Sequence, residues 1–290
     1  MNRRLPAAAA LLAAAGCVAA SVPPPRHSNP LPGRAARADA FTYTGELTQG
    51  GWLRGQAPAG TQSARLGDQP LVLDGANRFF AAFDRDAGPS ATLVATLTDG
   101  RIVQAELAIA PRQWDIQRVD VPLTVGKTTE EFLALRKPEL AQIAAARAVQ
   151  SATDGWQQHF IWPARGRISG KFGSQRIYRD GVAGAYHSGI DIAAGAGAPI
   201  VAPADGVVVL AAEQPFTLEG HLLIVDHGAG LNSAFLHCSR LAVKVGDPVR
   251  QGQLIAYVGM TGRATGPHLH WSLMWRGARL DPLLFAGPVP

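Results

Sequence analysis

Short runs of apolar and β-branched residues dominate the second half of the chain. Val207-Val208-Val209-Leu210 and Leu222-Leu223-Ile224-Val225 are two such runs, and apolar and polar residues alternate from Trp271 to Trp275. Runs of this length and composition, bounded by turn residues, are typical of β-strands. We therefore expect residues 161–290 to form a nearly all-β domain of antiparallel strands.

The first half shows the same kind of pattern in a shorter form over residues 41–125. The run Thr92-Leu93-Val94-Ala95-Thr96-Leu97 is followed by Asp99-Gly100, a dipeptide that favours a tight hairpin turn. Many short strands with regular turns predict a small β-sandwich-like domain. Trp52 and Trp114 could offer aromatic faces to a sugar, but we favour the interpretation that both are core residues.

Residues 126–160 carry a helical pattern and predict a helical connector rather than a partner-binding helix. Thr128-Thr129-Glu130-Glu131 combines hydroxyl caps with early carboxylates, which is typical of a helix start. Pro138 fits the first turn of a second helix that runs to Val149. The apolar residues of this second helix fall at helical spacing and predict one buried stripe. The stripe consists of Leu140, Ile143, Ala144 and Ala148.

Residues 1–20 have the pattern of an export signal. Arg3 and Arg4 precede an apolar run that is too short to span a bilayer. The signal is either of the lipoprotein type, cleaved before Cys17 and acylated on it, or an ordinary one cleaved after residue 20. We favour the lipoprotein type, which would tether the protein to a membrane. Residues 21–40 are rich in proline and predict a disordered linker.

The chain is basic, with 290 residues, a net charge of +5 and a sequence pI of about 9.6. A basic protein is attracted to anionic surfaces. Nucleic acid is one such surface, but no basic helix and no interleaved aromatic and basic motif occurs, so we expect no nucleic-acid partner. If Cys17 is removed or acylated, Cys238 has no partner, and we expect a fold without a disulfide.

A glycine- and proline-rich loop leads directly into His268-Leu269-His270 near the C-terminus. Side chains in a strand alternate between its two faces, so His268 and His270 are expected on the same face. Two imidazoles side by side can hold a metal, share a proton or perform one task each. A lone histidine would more simply be a core or solvated residue, but this pair does not stand alone.

A second polar pair lies upstream, in His187-Ser188-Gly189-Ile190-Asp191. The segment looks extended, and an offset of four places His187 and Asp191 on one face of a strand. Imidazole and carboxylate are zinc ligands, and a catalytic zinc site keeps three protein ligands. His187, Asp191 and one histidine of the downstream pair would complete that set, leaving the other histidine as a general acid or base. His237 adds one more histidine, from another strand-like run.

Residues 166–285 resemble the lysostaphin/LytM-type zinc metallopeptidases, which cut peptide bonds in bacterial peptidoglycan. The resemblance rests on a series of short motifs in order. They are His187-Ser188-Gly189-Ile190-Asp191, Ala202-Pro203-Ala204-Asp205-Gly206, Phe235-Leu236-His237, Val245-Gly246-Asp247-Pro248-Val249, Gly259-Met260-Thr261-Gly262 and Gly266-Pro267-His268-Leu269-His270. The resemblance implies that His187, Asp191 and His270 bind zinc. It also implies that His237 and His268 flank the zinc-bound water and the scissile carbonyl.

The function implied by this resemblance is a zinc-dependent endopeptidase that hydrolyses peptide cross-links or stem peptides of peptidoglycan. With the export signal, the family suggests a periplasmic or outer-membrane-anchored enzyme. The alternative is a catalytically silent activator of other cell-wall hydrolases, but such relatives lack zinc ligands, and here all five polar positions are present. A biotinyl-type carrier module and a purely peptidoglycan-binding module are further alternatives. No HExxH motif occurs, so the mechanism with a glutamate base is excluded.

Several other polar residues of this region have weaker assignments. Cys238 replaces the apolar residue common in the family, and strand alternation turns it away from His237 into the core. Tyr178 and Tyr186 could donate a phenol hydrogen bond, although packing is the simpler role. The remaining assignments are structural roles for His221 and His227, no role for His159, and substrate contact as one option for Arg263 and Thr265.

Overall fold

The computed structural model describes residues 39–122 and 129–288. The export signal with Cys17, most of the linker, and residues 123–128 of the connector lie outside the described residues. Within the described ranges the fold is mainly β, as predicted, and no helix is long and apolar enough to cross a membrane.

Two antiparallel sheets make up the N-terminal part. Their strands are β1 (Thr42–Glu46), β2 (Trp52–Gln56), β3 (Thr61–Leu66), β4 (Gln69–Pro70), β5 (Arg78–Ala82), β6 (Ser90–Leu97) and β7 (Ile102–Ala108). The first sheet has the strand order β1-β2-β5 and the second β4-β3-β6-β7. Leu53, Phe79 and Leu93 from the two sheets are fully buried in one cluster. The predicted Asp99-Gly100 turn joins β6 to β7, with Gly100 in the left-handed conformation at φ 87°.

A ten-stranded sheet forms most of the C-terminal part. Its strands are β9 (Arg167–Gly170), β11 (Ile190–Ala193), β12 (Pro199–Val201), β13 (Gly206–Ala211), β14 (His221–Asp226), β15 (Leu231–Leu241), β16 (Pro248–Val249), β17 (Leu254–Val258), β18 (Leu269–Trp275) and β19 (Ala278–Leu280). The main order is β16-β13-β14-β15-β18-β11-β9, and every pairing in the sheet is antiparallel. This order places β11 and β15 on either side of β18.

Helix α1 (Glu130–Ala148) is one continuous helix, whereas the sequence predicted a second helix starting at Pro138. Its start is as predicted, because Thr129 caps it by accepting a hydrogen bond from the Phe132 amide. The predicted apolar stripe is wrong, since Leu140 is half exposed. The residues that face the protein are Phe132, Arg136, Glu139, Ile143, Ala146 and Arg147. Polar contacts of this face with the sheet domain override the apolar pattern, and Pro138 lies on the exposed side.

The N-terminal sheets pack firmly against the C-terminal part. Phe80 of β5 meets Trp275 of β18 edge-on at 6.3 Å between ring centroids. Trp52 packs on Phe285 of α2 (Leu283–Ala286) and donates its indole N–H to the Leu284 carbonyl at 2.9 Å. The core interpretation of Trp52 therefore fits better than a free glycan platform. Trp114 likewise packs edge-on against Phe172, at 5.7 Å.

Two short strands also link the parts, because β8 (Ile116–Arg118) pairs in parallel with β10 (Gln175–Ile177). Two 3-10 turns, Gly155–Gln157 and Arg179–Gly181, complete the regular elements. The β8–β10 pairing brings the N-terminal part close to the segment that carries His187 and Asp191. The domain boundaries proposed from the sequence, at residues 125 and 160, stay predictions.

Candidate metal centre and active-site groove

Asp191 and His270 face each other across neighbouring strands. Asp191 on β11 is the direct cross-strand partner of His270 on β18. Side chains opposite each other in a ladder lie on the same face of the sheet, and here the Asp191 Oδ1 lies 2.9 Å from the His270 Nδ1. The strand backbones therefore hold two candidate ligands side by side.

His187 completes this cluster from outside the strand. Its Nε2 lies 3.0 Å from the Asp191 Oδ1 and 3.1 Å from the His270 Nδ1. The sequence placed His187 and Asp191 on one strand face, but β11 begins only at Ile190, so His187 reaches the cluster from the irregular segment that precedes it. The spacing of four residues correctly predicted that His187 and Asp191 lie close together, but His187 does not belong to a strand.

The chemistry of the three donor atoms fits a bound cation. The His187 Nδ1 lies 3.0 Å from the Lys171 carbonyl oxygen and donates its hydrogen there, so the Nε2 carries a lone pair. That lone pair, the His270 Nδ1 and the carboxylate oxygen of Asp191 all converge within 4.8 Å of one another. Converging acceptors need a cation or a proton between them. Donors of a tetrahedral zinc at about 2.0–2.1 Å from the ion lie about 3.3 Å apart, close to the separations found here.

The pKa shifts within the cluster favour an ionised Asp191 carboxylate. Burial alone would raise the pKa of Asp191, but hydrogen bonds that His187 and His270 donate when these rings are protonated hold that pKa well below its ordinary value. Burial lowers the pKa of His270, despite the neighbouring carboxylate. Burial also acts to lower the pKa of His187, but the hydrogen bond that its protonated Nε2 donates to Asp191 outweighs this effect and raises the pKa. Protons and a cation therefore compete for the same lone pairs.

Gly170 and Gly189 have no side chain, which makes room for the ligand cluster. A Cβ built on Gly170 of β9 would collide with the Asp191 carboxylate. A Cβ on Gly189 would lie 2.8 Å from the His270 Nε2, again too close for real atoms. Larger residues at either position would push the ligand side chains away, so we assign a spatial role to Gly170 and Gly189.

His237 and His268 form a second pair beside the metal cluster, with ring centroids 4.8 Å apart. The His237 Nδ1 lies 2.8 Å from the Thr261 carbonyl, and the His268 Nδ1 lies 2.8 Å from the Gly266 carbonyl. Because a carbonyl only accepts, each Nδ1 carries the hydrogen, and each neutral ring keeps its lone pair on Nε2. Burial lowers the pKa of His237, which favours the neutral, proton-accepting form.

A bulge in β15 turns His237 toward the site. Leu236 is the cross-strand partner of His270, so strict alternation would direct His237 to the opposite face. The backbone of His237 is left-handed, at φ 63°, and the pairing of β15 with β14 shifts register here. As a result the consecutive residues Leu236 and His237 both line the same groove.

The two histidine groups lie in a groove of about 990 Å³. Its lining includes Leu218, Glu219, Lys171 and Tyr186. Its other charged lining residues are Asp115, Arg176, Arg263 and Arg279. Asp115 and Gln117 come from the segment around β8, so the N-terminal part contributes directly to the wall of the groove.

The residues with weaker assignments separate into two groups. Tyr178, Tyr186, Arg263 and Thr265 all line the groove. His221 and His227 hydrogen-bond elsewhere: the His221 Nδ1 lies 3.0 Å from the Ala212 carbonyl, and His227 is fully buried between the Asp205 carbonyl and the Ser233 hydroxyl, each at 2.7 Å.

Cys238 lies where the sequence interpretation placed it. It is fully buried in the main hydrophobic cluster, and burial raises the pKa of its thiol to about 12. The thiol is therefore protonated at neutral pH and packs as a small apolar side chain.

Some residues that shape the site were not singled out from the sequence. Thr261 and Lys171 act through their backbone carbonyls, and any residue type supplies a carbonyl, so the sequence carries no signal for that role. Arg136 of α1 bonds to Glu219, which lines the groove, and Glu139 bonds to Thr217 two residues earlier; both contacts depend on tertiary structure.

Comparison with known proteins gives a consistent result. Residues 185–282 match the family described as Peptidase family M23. Over 126 residues the chain is 38% identical to the peptidoglycan DD-endopeptidase ShyA of Vibrio cholerae serotype O1, an alignment that covers 43% of this chain and 29% of ShyA. Over 104 residues it is 38% identical to the DD-carboxypeptidase/endopeptidase Mpg of Neisseria meningitidis serogroup B, covering 36% of this chain and 24% of Mpg. The chain thus spans less than a third of the length of these relatives.

Among solved structures, the chain is similar to a crystal structure from Pseudomonas aeruginosa that is described as a peptidase M23. The two share 28% sequence identity with a TM-score of 0.64, over 83% of this chain and 95% of the other. The likeness therefore extends beyond the matched family segment into the rest of the described chain. Zinc is the metal of peptidase family M23, and the His–Asp–His cluster offers suitable donors for it. The C-terminal part of the chain is a peptidase M23 domain of the lysostaphin/LytM type.

Proposed function

We propose that this protein is a zinc-dependent endopeptidase that hydrolyses peptide cross-links or stem peptides of bacterial peptidoglycan. The observation that carries the proposal is the convergence of His187, Asp191 and His270 in a groove that also presents two further histidines. The names of the similar proteins ShyA and Mpg, which denote endopeptidases, support the same reaction class.

We assign His187, Asp191 and His270 as the zinc ligands. The His187 Nε2, the Asp191 Oδ1 and the His270 Nδ1 are the donor atoms, since these are the atoms that converge. Zinc bound there supplies a Lewis acid that makes water a nucleophile near neutral pH and polarises an amide carbonyl. The remaining steps of hydrolysis fall to side chains that line the groove.

His237 and His268 are suited to move the protons of amide hydrolysis. Each holds its Nδ1 hydrogen on a backbone carbonyl and keeps its Nε2 free to accept a proton. One of the two accepts a proton from the attacking water, and the other steadies the developing negative charge or protonates the leaving amine. Burial lowers the pKa of His237, so the ring is neutral at neutral pH and its Nε2 is available to accept a proton.

The charges in the groove suit a peptide that carries carboxylates. Outside the metal cluster the groove is lined by four cations, Lys171, Arg176, Arg263 and Arg279, and by two carboxylates, Asp115 and Glu219. Glu219 is already paired with Arg136 at 2.6 Å, so the groove is cationic on balance. Cationic walls attract an anionic polymer and orient it before reaction. Stem peptides of peptidoglycan contain free carboxylates, so this charge pattern supports the proposed substrate.

The second candidate function is a catalytically silent activator of other cell-wall hydrolases. It would need a site that has lost ligands or acid–base groups, yet all five candidate residues occupy the groove.

The cellular setting that accompanies either function is the cell envelope, reached through export, with a membrane tether if Cys17 is acylated. Peptidoglycan is the proposed partner in both cases.

Digestion of purified peptidoglycan tests the proposal. The mature protein is incubated with peptidoglycan with and without a chelator, and the products are identified by mass spectrometry. We expect products split within cross-link or stem peptides, lost on chelation and restored by zinc. Mass spectrometry also distinguishes the direct peptide cross-link from glycyl bridges. A folded, zinc-loaded protein that yields no products would favour the activator.

A further inference from the structure

Helix α1 makes a two-point polar contact with the groove wall. Each terminal nitrogen of Arg136 donates a hydrogen bond to the Glu219 carboxylate, at 2.6 and 2.7 Å. Glu139, one turn later, accepts hydrogen bonds from the backbone amide and the hydroxyl of Thr217, at 2.6 and 2.7 Å. Arg136 and Glu139 also pair with each other at 3.0 Å. We call these four residues the brace.

The ion pairs of the brace are expected to contribute little to the free energy of unfolding. Glu139 is only 8% exposed and the Arg136 side chain 13%, so their charges have lost most of their water. Burying an ion pair costs desolvation free energy that its attraction offsets only with good geometry. The bidentate arginine–carboxylate pair fixes direction as well as distance. The brace therefore fixes the position of the segment 217–219 relative to α1.

That segment in turn contacts the supports of both groove histidines. The Glu219 carbonyl accepts the backbone N–H of His237 at 2.8 Å. The Leu218 carbonyl accepts the backbone N–H of Arg263 at 2.9 Å, at the start of the loop that leads to His268. Gly220, left-handed at φ 67°, lets the segment lie directly against Thr261, whose carbonyl orients the His237 ring.

His237 needs such support because its own backbone is strained. A histidine in the left-handed region is uncommon, and strained residues persist only where their surroundings hold them. The His237 amide bonds to the carbonyl of Glu219, a brace residue, and the ring bonds to Thr261, which lies against Gly220 directly after the brace segment. A shift of segment 217–219 would therefore move His237 and the loop before His268 together.

We propose that Arg136 and Glu139 of α1 are positioning residues that hold His237 and His268 in their reactive arrangement. This inference rests on the proposed function of those two histidines. Under this proposal Arg136 and Glu139 of helix α1 affect the rate of turnover, although neither belongs to the metal cluster.

The test compares Arg136→Met with Lys137→Met in the full-length protein. Lys137 is the exposed neighbour of Arg136 on the same helix and makes a matched control. For Arg136→Met we expect kcat to fall about tenfold or more, since small displacements of reacting groups are costly. KM is compared at high ionic strength, where the freed charge of Glu219 is screened, and should stay within about twofold of wild type. Zinc content should stay at the wild-type level. Arg136→Lys should recover part of kcat, because it restores the charge but not the bidentate fork.

Hydrogen exchange of the His237 amide, followed by NMR, gives a readout that needs no activity. We expect faster exchange of this amide in Arg136→Met and in Glu139→Gln, and wild-type exchange in Lys137→Met. Wild-type kcat in zinc-loaded Arg136→Met, or a loss of kcat with unchanged protection of His237, would overturn the inference. If Arg136→Met does not fold, Arg136→Lys and Glu139→Gln provide the same two readouts. If the wild-type protein is inactive on peptidoglycan, the proposed function fails, and the exchange data still decide whether the brace positions His237.

Discussion

Asp191 and His270 are direct cross-strand partners, and the carboxylate Oδ1 of one lies 2.9 Å from the imidazole Nδ1 of the other. Both side chains start from backbones locked in the same antiparallel ladder. The pairing of β11 with β18 therefore fixes where the two side chains start, and only their rotamers remain free. Candidate ligands on rigid strands are preorganised, so removing one should cost metal affinity without a compensating rearrangement.

We expect His270→Ala to lose both bound zinc and peptidase activity. The variant leaves only His187 and Asp191, and two donors hold zinc far less tightly than three. Metal content measured by mass spectrometry of the purified protein checks the first effect, and peptidoglycan digestion checks the second. His159→Ala is the control, because His159 is exposed and lines a different cavity together with Trp162. Full zinc occupancy in His270→Ala would contradict the ligand role.

We expect His268→Ala to keep its zinc but to lose turnover. The His268 Nε2 lies 3.8 Å from the Asp191 Oδ1, outside the cluster of closely spaced donors. Loss of a general acid or base typically lowers kcat by about 10²- to 10⁴-fold. Steady-state kinetics with metal analysis of the same sample separate the two effects. Normal turnover would rule out the acid–base assignment of His268, and loss of zinc would make it a ligand.

The double variant Arg176→Gln/Arg263→Gln should raise KM for peptidoglycan fragments. Both cations are exposed in the groove, and their attraction for substrate carboxylates is screened by salt. We expect KM to rise about threefold to tenfold at low ionic strength, with a weaker salt dependence than wild type.

Arg250→Gln is a control for the groove charges, because Arg250 is exposed and is not among the residues that line the groove. It should leave KM and its salt dependence near wild type. An unchanged KM in the groove variant would mean that these cations do not meet the substrate. Equal effects of groove and control charges would indicate general attraction by the basic protein instead.

The sequence was most informative where the chemistry is carried by side chains in short motifs. The spacing within His268-Leu269-His270 predicted two imidazoles on one side, and both line the groove. The same alternation rule would have sent His237 away from His270. A left-handed residue and a register shift in β15 reverse that direction, and a local pattern of apolar residues does not encode such a bulge.

In helix α1 the pattern of apolar residues predicted the wrong buried face. Leu140 and its apolar neighbours predicted a buried stripe, yet the buried side carries Arg136 and Glu139. Their partners Thr217 and Glu219 lie about 80 positions away in the chain, and the ion pairs form only once the sheet exists. Tertiary contacts of this kind outweigh the weak preferences that set helix periodicity.

His227 should make the stability of the fold depend on pH in mildly acidic solution. Burial lowers the pKa of this fully buried histidine from its ordinary value of 6.5 to about 4. Between these values the unfolded chain binds a proton that the folded protein excludes, so the free energy of unfolding falls as pH drops through this window. The loss approaches about 3 kcal/mol once the pH is below both values.

We expect His227→Gln to flatten this dependence between pH 6.5 and 4, since glutamine does not titrate. The variant should also be less stable at pH 7 by about 1–3 kcal/mol, because one amide cannot reproduce both hydrogen bonds, to the Asp205 carbonyl and from the Ser233 hydroxyl. Denaturant unfolding at several pH values measures both effects. His159→Gln, at an exposed position, should keep the wild-type slope. A His227→Gln protein with an unchanged slope would show that other groups cause the acid destabilisation, because contributions from the metal cluster are common to both proteins and cancel in the comparison.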